Sequence, residues 1–172
     1  ITISFNSDKV NLITDFGAKI SVANNTDKAF YGVEFRVNFD NTALKFDSIT
    51  LDFADYCPWE IEILDSGANY VYVVAFADLM NVSDFTACGV KSGDSLDFNL
   101  TFKPLKSGNV SLSVNEAIAL AGTKFEDYDL TSASASLYKA FTSKIIGASL
   151  QLSSGIELAF SALIPADYKE AK

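Results

Sequence analysis

The sequence contains no histidine. The commonest general base and the commonest transition-metal ligand are therefore missing. That argues against His-based triads and zinc hydrolases. Cations are also scarce. Thirteen Lys and Arg stand against 22 Asp and Glu, for a formal net charge of −9. No basic stripe offsets this balance, so a phosphate backbone or an anionic membrane surface would be repelled. Cysteine is limited to Cys57 and Cys88, too few for a disulfide scaffold and without metal-binding spacing. No run approaches the ~18 apolar residues of a membrane-spanning helix. The chain opens directly in a strand-like segment, Ile1–Phe5, so any secretory leader is expected to have been removed already.

What is present is apolar and aromatic. Hydrophobic residues make up 49% of the 172 and charged ones 20%, with 14 Phe and 7 Tyr. This length and composition support one sizeable core. Aromatic and β-branched residues suit a pleated, half-buried surface.

Period-two alternation runs through most of the chain. Val33, Phe35, Val37 and Phe39 alternate with Gly32, Glu34, Arg36 and Asn38, the pattern of an antiparallel strand with one buried side. Leu44 to Phe53 follows, and the step from Phe46 to Ile49 breaks the alternation, which predicts a bulge. Trp59–Leu64 and Tyr70–Ala77 flank Asp65-Ser66-Gly67-Ala68-Asn69, a hairpin with a glycine-containing loop. Leu96, Phe98, Leu100 and Phe102 mark another strand; Val110–Val114, Ala117–Ala121 and Leu130–Tyr138 complete the series. Strands recurring at this spacing predict an all-β, two-sheet antiparallel sandwich of about nine strands over residues 1–138. Residues 139–172 read as a linker followed by an accessory hairpin, or as the start of a second module. A short helix is expected from Pro165, a residue favoured at the first helical position.

Candidate chemistry is thin. Asp52, Asp55, Glu60 and Glu62 cluster in sequence, as a glycosidase acid pair would. Glu60 and Glu62 share one strand face, however, and a solvated exterior is the preferred reading. Glu126-Asp127-Tyr128-Asp129 offers oxygens for calcium but lacks the spacing of a calcium loop, so a solvated acidic turn is preferred. The predicted hairpin brings Cys57 near Ala77, with Cys88 after a further loop. A disulfide is sterically allowed; two free, partly buried thiols are the alternative. Four Asn-X-Ser/Thr triplets, at Asn24, Asn81, Asn99 and Asn109, carry no weight, because such triplets arise by chance in Asn- and Ser-rich β sequences.

Tyr70–Ala77 is the odd strand. Tyr72, Val74 and Phe76 take one face; Val71, Val73, Ala75 and Ala77 take the other. Both are apolar, and only one can be buried in the sandwich. The other is either covered by a loop or the C-terminal hairpin, or is a patch for a protein partner. The small alanines are expected on the exposed side, where a partner backbone could approach closely, with Glu34, Arg36 and Asn99 as a polar rim.

At this level the sequence resembles cohesin modules. Tyr31–Leu44, an alternating strand ending in Phe39-Asp40 with a short turn and a Leu, looks like their third strand. Val73-Val-Ala-Phe-Ala-Asp78 looks like their fifth. Lys91-Ser-Gly-Asp94 leading into Leu96–Phe102, then Lys106-Ser-Gly108 and Val110–Val114, is similar to their sixth and seventh. The resemblance covers residues 1–138.

It implies a nine-stranded jelly roll that docks a dockerin, a small calcium-loaded helical module carried by an enzyme or another scaffoldin. The chain would have no catalytic role and need no cofactor of its own, with calcium residing in the partner. Its setting would be an extracellular or cell-surface polysaccharide-degrading complex, the cellulosome. The implied contact residues are Gly32, Glu34, Arg36, Val73, Ala75, Ala77, Asp78, Leu79, Met80, Asn99 and Ala119. Gly32 and Glu34 stand where many cohesins have Asn and Asp, so the partner code differs. A carbohydrate-binding sandwich and a structural or adhesive surface domain are the alternatives; the single Trp59 offers little to the first.

Overall fold

The computed structural model describes residues 1–7, 10, 12–53, 57–80, 84–106, 108–124 and 126–137, and the backbone alone of Lys144–Leu152 and Ile156–Leu163. Asp55, Asn81 and the helix expected from Pro165 lie outside the described residues. The chain divides into two compact units, Ile1–Tyr138 and Lys139–Lys172.

The first unit is an all-β sandwich. Its strands are β1 (Thr2–Phe5), β2 (Phe16–Ala23), β3 (Phe30–Phe39), β4 (Leu44–Asp52), β5 (Trp59–Ser66), β6 (Tyr70–Ala77), β7 (Ser95–Pro104), β8 (Val110–Ala121), β9 (Glu126–Asp129) and β10 (Ala133–Leu137). One sheet has four strands in the order β1-β2-β7-β4. The other has six, in the order β10-β8-β3-β6-β5, with β9 paired to β8 beyond β10. All pairings are antiparallel. The chain repeatedly crosses between the sheets, giving the expected jelly-roll sandwich.

Alternation builds the core. Ile20 and Val22 of β2 and Leu96, Phe98, Leu100 and Phe102 of β7 face Val33, Phe35 and Val37 of β3 and Val71 and Val73 of β6, all essentially without solvent contact. Phe35 meets Phe98 edge-on with ring centroids 4.8 Å apart, and Phe39 meets Phe102 at 5.3 Å. Such pairs contribute about 0.5–1.5 kcal/mol beyond their buried area. The predicted break in β4 is a register shift between Phe46 and Ser48 against β7.

Two expectations change. The acidic segment 126–129 is not a turn but strand β9, pairing Asp127 with Leu120 and Asp129 with Ile118. The two short strands expected at 110–121 are one strand, β8. It slips register between Glu34 and Arg36 of β3, and Glu116 takes a φ of 49° there. This bulge bends β8 so that its first half pairs with β10 and its second with β9.

Asn24 is buried at the end of β2. Its amide donates to the carbonyls of Lys28 and Val90, at 2.7 Å each, and its oxygen accepts from Thr26. A fully engaged side chain of this kind is a turn organiser rather than a glycan acceptor.

The second unit is an antiparallel hairpin, β11 (Lys144–Leu152) with β12 (Ile156–Leu163). Its register pairs Leu152 with Ile156, Gln151 with Glu157 and Leu150 with Leu158, and shifts between Ile145 and Gly147.

Candidate functional site

The outer face of the six-stranded sheet is assembled by register. Directly opposed residues point to the same side, so the face can be read in rows. One row runs Glu60, Phe76, Gly32, Leu120, Asp127; the next runs Glu62, Val74, Glu34, Ile118, Asp129. Asp65, Tyr72 and Arg36 begin a third. The centre is therefore apolar, built from Phe76, Val74, Ile118 and Leu120. Leu120 is 38% exposed. Carboxylates border it on both edge strands, β5 and β9.

Arg36 is the only cation in any strand of this sheet. Its guanidinium lies 4.0 Å over the Tyr70 ring, and its Nη1 is 3.3 Å from Glu116 Oε1. Its Nε is buried without a hydrogen-bond acceptor among the described residues. Burial holds the Tyr72 phenol above its ordinary value, and the carboxylates of Glu34 and Glu116 push it the same way. Glu60, Glu62, Asp127 and Asp129 form no ion pair among the described residues. Between Phe76 and Leu120 the missing side chain of Gly32 leaves a depression of about 140 Å³.

Asp78 closes β6. Its Oδ1 accepts from the Met80 amide at 2.9 Å, and its own amide donates to the Pro58 carbonyl at 2.8 Å. Met80 beyond it is 92% exposed. Beside them Cys57 and Cys88 form a disulfide, with Cα atoms 5.2 Å apart. Ala77 packs in the same cluster, with Trp59 and Leu79 against it, and Trp59 Nε1 donates to the Cys88 carbonyl at 3.2 Å. Of the two thiol readings, the bridge is the one found.

The expected contact residues divide. Gly32, Glu34 and Arg36 lie on the outer face, and Asp78, Leu79 and Met80 lie at its end. Val73, Ala75 and Ala119 do not reach it: they are fully buried, and Ala77 is nearly so. Val73 opposes Phe35 and Ala75 opposes Val33, so β6 turns its valines and alanines to the core and its aromatics outward. Asn99 belongs to the other sheet. Its strand is β7, paired with β2 and β4, and its amide donates to Asp52 at 2.8 Å. This strand is the seventh in the chain, where the resemblance implied the sixth. Asp52 likewise sits on the opposite sheet from Glu60 and Glu62, so these three carboxylates of the glycosidase-like cluster do not share a face. Tyr72, Val74, Phe76, Ile118, Leu120, Asp127 and Asp129 are the face residues that sequence reasoning missed. Pairing β6 with β3 is the signal that identifies them.

No family model matches the sequence, and no curated relative does. Solved structures do match. The cohesin module of a family 33 glycoside hydrolase from Clostridium perfringens superposes with a TM-score of 0.62 at 16% identity, over 80% of this chain and 94% of that one. The fold is cohesin-like. A type II cohesin of Acetivibrio cellulolyticus matches this cohesin-like sandwich with a TM-score of 0.57 at 13% identity, over 77% and 92% of the two chains. A further cohesin, from scaffoldin B of that organism and solved in complex with a dockerin, matches at 0.55 and 14% identity, over 77% and 94%. Two domains of the major pilin SpaD of Corynebacterium diphtheriae match at 0.55 and 16% identity, where 80% of this chain covers 51% of that one. Among the described residues no helix is long and apolar enough to cross a membrane, and no cluster of acidic side chains could hold a metal ion.

Proposed function

We propose that this cohesin-like sandwich is a non-catalytic docking module, and that the outer face of its six-stranded sheet receives a calcium-loaded dockerin. One observation carries the reading: an apolar strip on an open sheet face, edged by carboxylates without counter-ions, on a fold whose solved relatives include a cohesin bound to a dockerin. Across five strands at ~4.8 Å spacing the face is about 19 Å wide, room for a helix about 10–12 Å in diameter with its flanking side chains. A specific interface of this kind buries roughly 1,200–2,000 Å² in total. The setting that follows is extracellular, in assembly of polysaccharide-degrading enzymes or scaffoldins. Calcium orders the dockerin, and this chain needs none.

The test is a binding screen of residues 1–138 against recombinant dockerins of the same genome, with calcium and with chelator. At least one should bind, only with calcium. Val74→Asp should abolish that binding, while Thr101→Asp on the opposite sheet leaves it unchanged. Binding that survives Val74→Asp, or no binding by any dockerin, overturns the proposal. The second outcome favours the structural role suggested by the pilin likeness.

A further inference from the structure

The depression over Gly32 has a chemistry of its own. Its floor is the β3 backbone at Gly32, where a Cβ would stand 3.1 Å from Leu120 Cδ1 and 3.6 Å from the Ala75 carbonyl oxygen. Phe76, Val74 and Leu120 wall it, and Glu34 and Asp127 reach its lip. At about 140 Å³, against the ~30 Å³ share of one water, it takes a side chain rather than a bare ion.

What fits is decided by walls and lip together. A purely apolar side chain would satisfy the walls but leave two carboxylates desolvated without a counter-ion, which is costly. A carboxylate would be repelled, and a short polar group would leave the walls bare. A long aliphatic stem ending in a cation satisfies both, as lysine and arginine do when they lay their methylenes on apolar surface. No lysine or arginine is among the described residues that line it. Arg36 is held by Tyr70 and Glu116, and Lys28 is paired with Glu126.

We infer that this depression is the anchor subsite for the partner and takes a lysine or arginine side chain, its stem over Gly32 and its head group at Glu34 and Asp127. The inference deepens the docking proposal and rests on it for the identity of the partner, but the subsite can be tested without any dockerin. The probes are n-butylguanidinium, n-butylammonium and neutral n-pentanol, titrated into the 15N-labelled protein at low salt. The cations should shift the amides of Gly32, Phe76 and Leu120 and bind at least about tenfold more tightly than pentanol. Gly32→Val should remove the effect by filling the site. Should that variant fold poorly, the Glu34→Gln/Asp127→Asn pair, which keeps the shape, should bring the cations down to the level of pentanol.

Equal binding of pentanol, shifts spread along Glu60 and Glu62 instead of centred on Gly32, or no shifts at all would overturn the inference. The two proposals fail separately. Cation binding at Gly32 without any dockerin partner sinks the docking proposal and leaves the subsite. A dockerin lost on Val74→Asp, with probes that do not discriminate, does the reverse.

Discussion

The two outer faces of the sandwich are made by the same alternation and carry opposite electrostatic designs. On the four-stranded sheet, Lys19, Lys45 and Lys103 stand against Asp47, Asp52 and Asp97. These charges largely satisfy one another. Lys19 reaches Asp97 at 2.5 Å and Lys103 reaches Asp47 at 2.6 Å, while Asp97 also accepts from Ser21 and Asp52 from Asn99. The face has no apolar centre. The six-stranded sheet sets Arg36 alone against the carboxylates of β3, β5, β8 and β9, around an apolar strip. A face that closes its own charge pairs is finished as a surface. One that leaves acids without counter-ions beside an exposed Leu and a half-buried Phe keeps an unbalanced field and an apolar area still open to solvent.

Four measurements break or sharpen that contrast. The largest effect concerns the end of the six-stranded sheet's outer face, which is stapled where the other face is not. Cys57→Ser with Cys88→Ser opens a loop spanning 31 residues and should cost about 3–4 kcal/mol of unfolding free energy on the chain-entropy estimate. Denaturant titration reads it, and an unchanged midpoint would mean the bridge holds nothing that packing does not.

Next comes Val74→Asp against Thr101→Asp. The first should weaken the dockerin complex by about 2–4 kcal/mol, the scale of a central hot spot. The second should change it by less than a few tenths. Similar losses from both would erase the distinction between the faces.

Third is ionic strength. An acidic face should recruit its partner faster at low salt, so the association rate should fall roughly tenfold or more as salt rises to ~0.5 M. Lys19→Glu on the other sheet should leave that dependence unaltered. Stopped-flow or surface-based kinetics separate the two.

The smallest effect belongs to the self-paired face. Partial burial pushes the Asp97 carboxyl up, but the bonds from Lys19 and Ser21 outweigh it and hold the group below the ordinary 3.8. The sign follows from that depression. The stabilisation is complete above 3.8 and is lost as pH falls through the lower folded-state value. Asp97→Asn should flatten that part of the stability profile in acid denaturation while leaving partner binding intact.

Much of the fold was legible from residues alone. Val33 to Phe39 and Leu96 to Phe102 declare their buried sides because their other sides are polar. The misplaced step at Phe46–Ile49 located a real bulge. Pairing two adjacent strands made the Cys57–Cys88 bridge possible but left two free thiols as the alternative; the structure has the bridge. Less was legible where local signals were ambiguous. Glu126–Asp129 looks like a turn because three of its four residues are acidic, yet an edge strand exposed on both sides needs little apolar surface. The make-up of the outer face was read half correctly. The β3 residues were placed on the outer face, but the alanines of β6 were assigned there because small side chains suit a close approach. They suit a close sheet-to-sheet approach equally well.

Alternation, set by side chains that point to opposite faces every residue, determined that this chain is a sandwich and that Tyr70–Ala77 is a strand. It could not determine which side of that strand faces out, since Val73 and Ala75 on one side and Tyr72 and Phe76 on the other are both apolar. Only the pairing of Ala75 with Val33 and of Phe76 with Gly32 decided it. Tertiary register joins residues distant in sequence into a single row, and Asp127, Leu120, Gly32, Phe76 and Glu60 become a surface by that means alone.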